Sequence, residues 1–476
     1  MKISVKNLRD TSEGIVQGVD NSVVAQNSVY LASNFAFDKT AGRAEVRDGI
    51  TQFGLQIVDG KSCLGLHMHV TTSGIKIPLA AFNAAGDATA VISKYTEGAW
   101  SSGKTGLSPD SSMRFLTFLD TTMMLNGVDR VSTFGGETWV TTGGNLDIAN
   151  CPVGNLCMEF QDKVYVAGVS GDLDRIFFSS TPSAGAISWT VDNGYIDIEP
   201  EEGAGAISAL AKVPGYFLIF KKRSFKRWDG SSTFPESLMT IGAPSQEAVV
   251  MTAQSVFYYS GKHGFYETIG GYPRKISRRI QHIIDAIPSS YYDQVSGIGD
   301  GERLYFSIGD ITLDGLTLDN CVVVYKIDTQ TWTLYSFPCE IKRWTIQIDN
   351  NDDEIIMAGD TDGNVWQVFE GTTDAGVEMN CILQTQPMEF GSRGLVKEIS
   401  KVVAYSKRLK NFNLTCRVDE TGDFKPVGTL ASDSIDIVND IKGRVFEFRL
   451  TGKAIAGNQF IGLDFPSVNA TASYKE

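Results

Sequence analysis

Short apolar runs alternate with polar turns through the middle of the chain. Between Phe160 and Gly230 the runs are Val164-Tyr165-Val166, Ile176-Phe177-Phe178, Ile187-Ser188-Trp189, Tyr195 to Ile198, Ile207 to Leu210, Phe217 to Phe220 and Phe225 to Trp228. Gly, Asp, Ser and Pro fill the gaps. The runs are rich in β-branched and aromatic residues, too short for helices, and lack a 3.6-residue apolar period, so they predict antiparallel hairpins.

The hairpin rhythm extends from about residue 52 to 372. An aromatic residue closes each unit: Trp100, Trp139, Trp189, Trp228, Tyr266, Trp332 and Trp366. Most intervals suit a four-stranded propeller blade of roughly 40–50 residues. Loose Gly-Glu-Thr-Trp-like phrases recur, as in Gly136-Glu137-Thr138-Trp139 and Thr329-Gln330-Thr331-Trp332. The expectation is an all-β chain built on a β-propeller-like domain of six or seven blades, residues 51–375; a large β-sandwich or irregular barrel is the alternative. On this count residues 160–230 are about one and a half blades.

Three segments depart from the rhythm. Residues 1–50 read as an N-terminal arm lying on its own domain or a neighbour, or as a leader without fixed structure. After Thr372-Thr373-Asp374-Ala375-Gly376 the spacing changes: Phe412, Leu414, Cys416 and Val418, then Phe446, Phe448 and Leu450, alternate with polar neighbours. This predicts a C-terminal antiparallel β-sandwich over 376–476. One short amphipathic helix is expected near 275–287. Ile276, Ile280, Ile283, Ile284 and Ile287 share one face, Lys275, Arg278, Arg279 and His282 another, and Pro288 marks the end.

Composition narrows the function. The 476 residues carry 42 Lys and Arg against 56 Asp and Glu, a formal net charge of −14. That balance argues against sequence-specific nucleic-acid binding. Cysteines 63, 151, 157, 321, 339, 381 and 416 include no CxxC pair, which fits reduced thiols rather than a zinc or redox motif. The first residues lack the apolar core of a signal peptide, and no membrane-spanning apolar run is present.

Candidate chemistry is sparse. The runs Lys221-Lys222-Arg223 and Lys226-Arg227 could meet phosphates or an acidic partner, or form a solvated hairpin tip; the same choice applies to Lys275, Arg278 and Arg279. In an acidic chain, subunit contact is the better reading of both clusters. His67 and His69 would share one strand face, but a third ligand is not at hand. Asp360-Thr361-Asp362-Gly363-Asn364 resembles half a calcium loop without its terminal Glu, and reads as a hairpin turn, as does Asp349 to Glu354. Glu199, Glu201 and Glu202 do not by themselves make a glycosidase pair. No GxSxG, HExxH, P-loop or dinucleotide fingerprint occurs, so an enzyme, a metal site and a cofactor are all unexpected.

A series of phrases, in order, carries a resemblance. They are Asn34-Phe35-Ala36-Phe37-Asp38, Arg47-Asp48-Gly49, Asp174-Arg175-Ile176-Phe177-Phe178-Ser179, Ile187-Ser188-Trp189, Leu218 to Ser224, Trp228-Asp229-Gly230, Gly261 to Tyr266, Gly270 to Pro273, and Val324-Tyr325 before Thr331-Trp332. The chain resembles the packaged-DNA stabilisation or tail-hub (nozzle) proteins of short-tailed double-stranded-DNA bacteriophages. That family commonly has Arg-Pro-Gly where this chain has Arg47-Asp48-Gly49. The resemblance implies a structural virion protein of the tail, made in the host cytoplasm. It implies a homo-oligomeric, usually hexameric ring below the portal and adaptor. Such a ring extends the DNA channel, helps retain packaged DNA with transient non-specific contact, and anchors fibres or a needle. A receptor- or glycan-binding propeller of a tail fibre is the alternative, and a propeller hydrolase a more distant one.

Overall fold

The computed structural model describes residues 7–17, 27–37, 42–140, 146, 148–189, 194–198, 205–231, 236–349, 351–432 and 434–471, with the side chains of 434–439 and 470–471 left aside. The chain is all-β, and its propeller has seven blades among the described residues. The innermost strands are Cys63–Val70, Arg114–Phe118, Leu156–Phe160, Ile207–Val213, Val249–Met251, Ser296–Gly299 and Ile341–Ile348. Each lies beside the next, and the seventh returns to the first, closing the ring. Residues 160–230 therefore run through most of blades 3 and 4, rather than one and a half.

A blade buries its faces only against neighbouring blades, so a closed ring of seven needs seven inter-blade cores. Seven separate apolar cores are present among the described residues. The seven aromatic closers fall one to each: Trp100 between blades 7 and 1, Trp139 between 1 and 2, Trp189 between 2 and 3, Trp228 between 3 and 4, Tyr266 between 4 and 5, Trp332 between 5 and 6, and Trp366 between 6 and 7. Blades splay outward, and a large flat side chain fills the resulting wedge.

Among the described residues, the N-terminal segment lies on its own chain, Leu8 bridging Leu463, and part of it supplies strands to the sheets. Ile50–Gln52 forms the outermost strand of blade 7, pairing Ile50 with Val368 and Gln52 with Trp366. Val29–Ser33 lies between the last strand of blade 6, Thr331–Ser336, and the sandwich strand Met379–Thr385. It is parallel to the former and antiparallel to the latter. Blade 6 thus continues into one nine-stranded sheet that ends in Phe446–Ala454, Phe412–Val418 and Thr421–Leu430. The facing sheet joins Phe35–Ala36 and Ala44–Val46 to Gln459–Thr471, Val396–Lys407 and Ser434–Gly443. Blade 6 and the sandwich share one continuous core, so the chain does not divide freely near residue 375.

Two clusters of charge pin this junction. Arg47, buried among Asn34, Ser336 and Asp374, uses all five guanidinium N–H donors. It also lies over the Phe337 ring, 4.2 Å from the centroid. At the tip of blade 6's long hairpin, the Asp314 carboxylate accepts from Arg417, Arg449 and Gln384 of the sandwich at 2.5, 2.9 and 2.9 Å.

The amphipathic segment is shorter than its sequence pattern. Arg274-Lys275 is a strand, with Lys275 paired to Tyr266. A 3-10 turn over Ser277–Ile280 follows, and the α-helix itself is Gln281–Ala286. Ile287 is already extended (φ −69°, ψ 122°), as a residue before proline prefers. Ile280, Ile283, Ile284 and Ile287 are all buried. Among the described residues no helix is long and apolar enough to cross a membrane.

Candidate functional site

The N-terminal ends of the seven innermost strands surround one mouth of the central channel. There they enclose a cavity of about 520 Å³ to which every blade contributes, from Leu64 of blade 1 to Arg343 of blade 7. A second cavity of about 290 Å³ lies along the channel, lined by Leu116, Met158, Met251 and Trp344. Arg114, Gln246, Glu247 and Arg343 line both and form the partition between them.

That partition is an ion triad drawn from three non-adjacent blades. Glu247, just before the inner strand of blade 5, pairs with Arg114 of blade 2 and, at 3.3 Å, with Arg343 of blade 7. Blade 5 stands across the ring from blades 1 and 2, so this carboxylate bridges the channel. Arg343 is held rigidly, donating to Leu64 O at 3.0 Å, Lys342 O at 2.8 Å and Ser112 Oγ at 2.7 Å. Gln246 accepts from Leu210 N and donates to Leu210 O, which fixes the loop carrying Glu247. Burial alone would raise the Glu247 pKa, but the two guanidiniums and its hydrogen bonds outweigh it and hold the group at about 2. Glu247 is therefore ionised at working pH, and the triad carries a net charge of about +1.

The expected basic sites scatter. Lys221 and Lys226 are buried, not part of a solvated tip, and Lys221 Nζ pairs with Asp174 at 2.7 Å. Since Lys221 pairs with Ser224, the turn itself is only Lys222-Arg223, both exposed. Lys222 pairs with Asp293 at 2.7 Å, beyond the helix. Arg227 binds Glu236 and Gly270 O and lies over Tyr216. Lys275 is on a strand, not the helix, and its ammonium donates to Gln281 Oε1. Arg279 pairs with Glu13 of the N-terminal segment, and Arg278 is exposed. Of the eight residues named from sequence, Lys222, Arg223, Arg278 and Arg279 are exposed.

His67 and His69 do share a strand face, and both reach blade 2. His67 bonds Thr117 Oγ1 at 2.7 Å and His69 bonds Thr122 Oγ1 at 2.8 Å. Burial lowers both pKa values, His67 to about 3 with help from its neighbour's charge. Asp360 closes its hairpin by accepting from the backbone of Asp362 and Asn364 and from Trp366 Nε1. Asp349 does likewise for Asn351 and Asp353. Glu199, Glu201 and Glu202 lie outside the described residues. All seven cysteines are free thiols, six of them buried.

The triad had almost no signal in the linear sequence. Arg114, Glu247 and Arg343 stand in unrelated phrases, and only the register of the inner strands turns them to one axis. A charged residue opening a mostly apolar inner strand, as Arg114 does, is the one trace they leave.

No protein-family model matches the chain, and no curated protein matches it. Solved structures that are similar include BBS1N in complex with ARL6DN, at 11% identity, 68% of this chain, 98% of that chain and a TM-score of 0.42. Saccharomyces cerevisiae Sqt1 aligns at 10% identity over 68% and 99%, TM-score 0.41. The Neurospora crassa Pan2 WD40 domain aligns at 8% identity over 68% and 96%, TM-score 0.40.

Proposed function

We propose that this protein is a structural component of a bacteriophage tail, a hub or nozzle subunit that assembles as a ring below the portal and adaptor. The observation that carries this reading is where its signature phrases meet. Asn34 and Arg47, separated in sequence, bond to each other at 2.8 Å in the buried junction of propeller and sandwich. Gly49 completes the same junction, where a Cβ would lie 1.9 Å from Thr373 O. These residues weld two β modules into one stiff wedge, the kind of part a ring is built from. Glu247 bridges the propeller's own axis, so in such an assembly DNA passes between subunits rather than through a blade ring. The charge of −14 favours passage of a polyanion without adhesion. Adaptor, fibres or needle would be the partners, with Lys222, Arg223 and Arg278 as contacts to an acidic neighbour.

Deleting the gene and imaging the particles tests this. Filled heads that lose their DNA are expected. Full, stable particles that fail to adsorb would instead favour a receptor-binding fibre component.

A further inference from the structure

Buried polar atoms are normally hydrogen-bonded, so a concentration of unbonded ones around a cavity points to what the cavity accepts. At the channel mouth, Arg114 Nε and Ser245 Oγ are buried with no hydrogen-bond partner among the described residues, and Glu247 Oε1 meets only the Arg343 guanidinium, at 3.3 Å, in an ion pair without hydrogen-bond geometry. All three residues line the 520 Å³ cavity. Its volume falls within the roughly 300–1,000 Å³ of small-molecule sites and far exceeds the roughly 30 Å³ that one water occupies.

We propose that the channel mouth binds a small hydroxylated molecule carrying an oxyanion, a carboxylate or a phosphate. Two guanidiniums against one carboxylate leave positive charge at the base of the cavity, in a protein that is acidic overall. Of the other charged side chains lining the cavity, Lys222 pairs with Asp293 and Lys342 with Glu340, while Asp110, exposed at the rim, accepts from the neutral amide of Asn83 and keeps its negative charge. The positive charge at the base is therefore the triad's own, with the Asp110 carboxylate apart from it at the exposed rim. Arg114 Nε is the donor for the oxyanion and Ser245 Oγ the partner of a ligand hydroxyl, while Glu247 stays with the two guanidiniums and holds them in place. Arg343, fixed by three further hydrogen bonds, keeps the site preorganised without leaving its place.

The test is calorimetric titration of the full chain with D-glucuronate, inorganic phosphate and, as neutral control, D-glucose. Saturable binding of glucuronate or phosphate is expected, and whichever binds more tightly identifies the oxyanion. Arg114→Gln should weaken it by about tenfold to a hundredfold, the loss of one charge-assisted hydrogen bond. Ser245→Ala, which removes only a hydroxyl and serves if the arginine variant does not fold, should weaken it several-fold. The proposal is overturned if neither anion binds, if glucose binds as well as glucuronate, or if both variants bind as the parent does.

Discussion

Arg47 and Asp374, 327 positions apart, form a bidentate ion pair of 2.7 and 2.9 Å with both side chains enclosed. Truncating one partner leaves the other charge buried alone, which costs about 3–5 kcal/mol. Asp374→Ala should therefore lower the denaturant midpoint sharply. Arg47→Lys should also destabilise, because an ammonium cannot reproduce the planar fork that reaches Asn34, Ser336 and Asp374 together.

At Gly49 even one methyl is too much. A Cβ would stand 1.9 Å from Thr373 O and 2.7 Å from Thr373 N, both backbone atoms. Gly49→Ala should cost at least about 1–3 kcal/mol and loosen the sandwich from the propeller. Faster proteolysis near residues 372–376 in that variant is the measurement.

The histidines predict a pH dependence of known sign. His67 is held neutral in the fold, with a pKa near 3, against about 6.5 unfolded. The unfolded chain takes up a proton first, so stability is whole above about pH 6.5 and falls as pH drops toward 3. His67→Gln should flatten unfolding curves between pH 6 and 4. Glu247, depressed to about 2, acts lower: its contribution is complete above about 4.5 and fades toward pH 2.

Charge reversal separates fold from assembly. Lys221→Glu buries an unpaired carboxylate beside Asp174 and should abolish soluble expression. Reversal at Arg223 or Arg278, both exposed, should leave monomer stability within about 0.5 kcal/mol. If those reversals also leave ring assembly and particle yield unchanged, these residues are not subunit contacts.

Ring closure rests on a short strand. Ile50 is fully buried at the outer edge of blade 7. Ile50→Ala should cost about 2–5 kcal/mol by cavity formation. Val128→Ala, on an exposed residue, should be close to neutral.

The propeller was legible because each inter-blade wedge takes a large aromatic residue, and the seven that fill them stand mostly at blade spacing, the interval from Tyr266 to Trp332 being lengthened by the helical segment. The short helix was legible from its isoleucines, though its length was not, since pairing to Tyr266 claims Lys275 for a strand. The weave of residues 29–52 was hidden. Its partners, at 331–336, 365–368 and 379–385, are far along the chain, and three-residue strands carry little pattern. The channel triad was hidden for the same reason, since its residues meet only through tertiary register. Likewise Lys221 and Lys226 read as a charged tip until strand pairing turned them inward.

The interleaving of early and late strands has a consequence for synthesis. Ala44–Val46 pairs with Gln459–Thr471, and Val29–Ser33 waits for Thr331–Ser336 and Met379–Thr385. At roughly 5–20 residues per second, translation keeps those early edges unpaired for tens of seconds. The nascent chain thus carries open sheet edges until its final strands emerge. Its yield should depend on chaperone capacity and translation speed more steeply than that of a propeller closed by neighbouring segments.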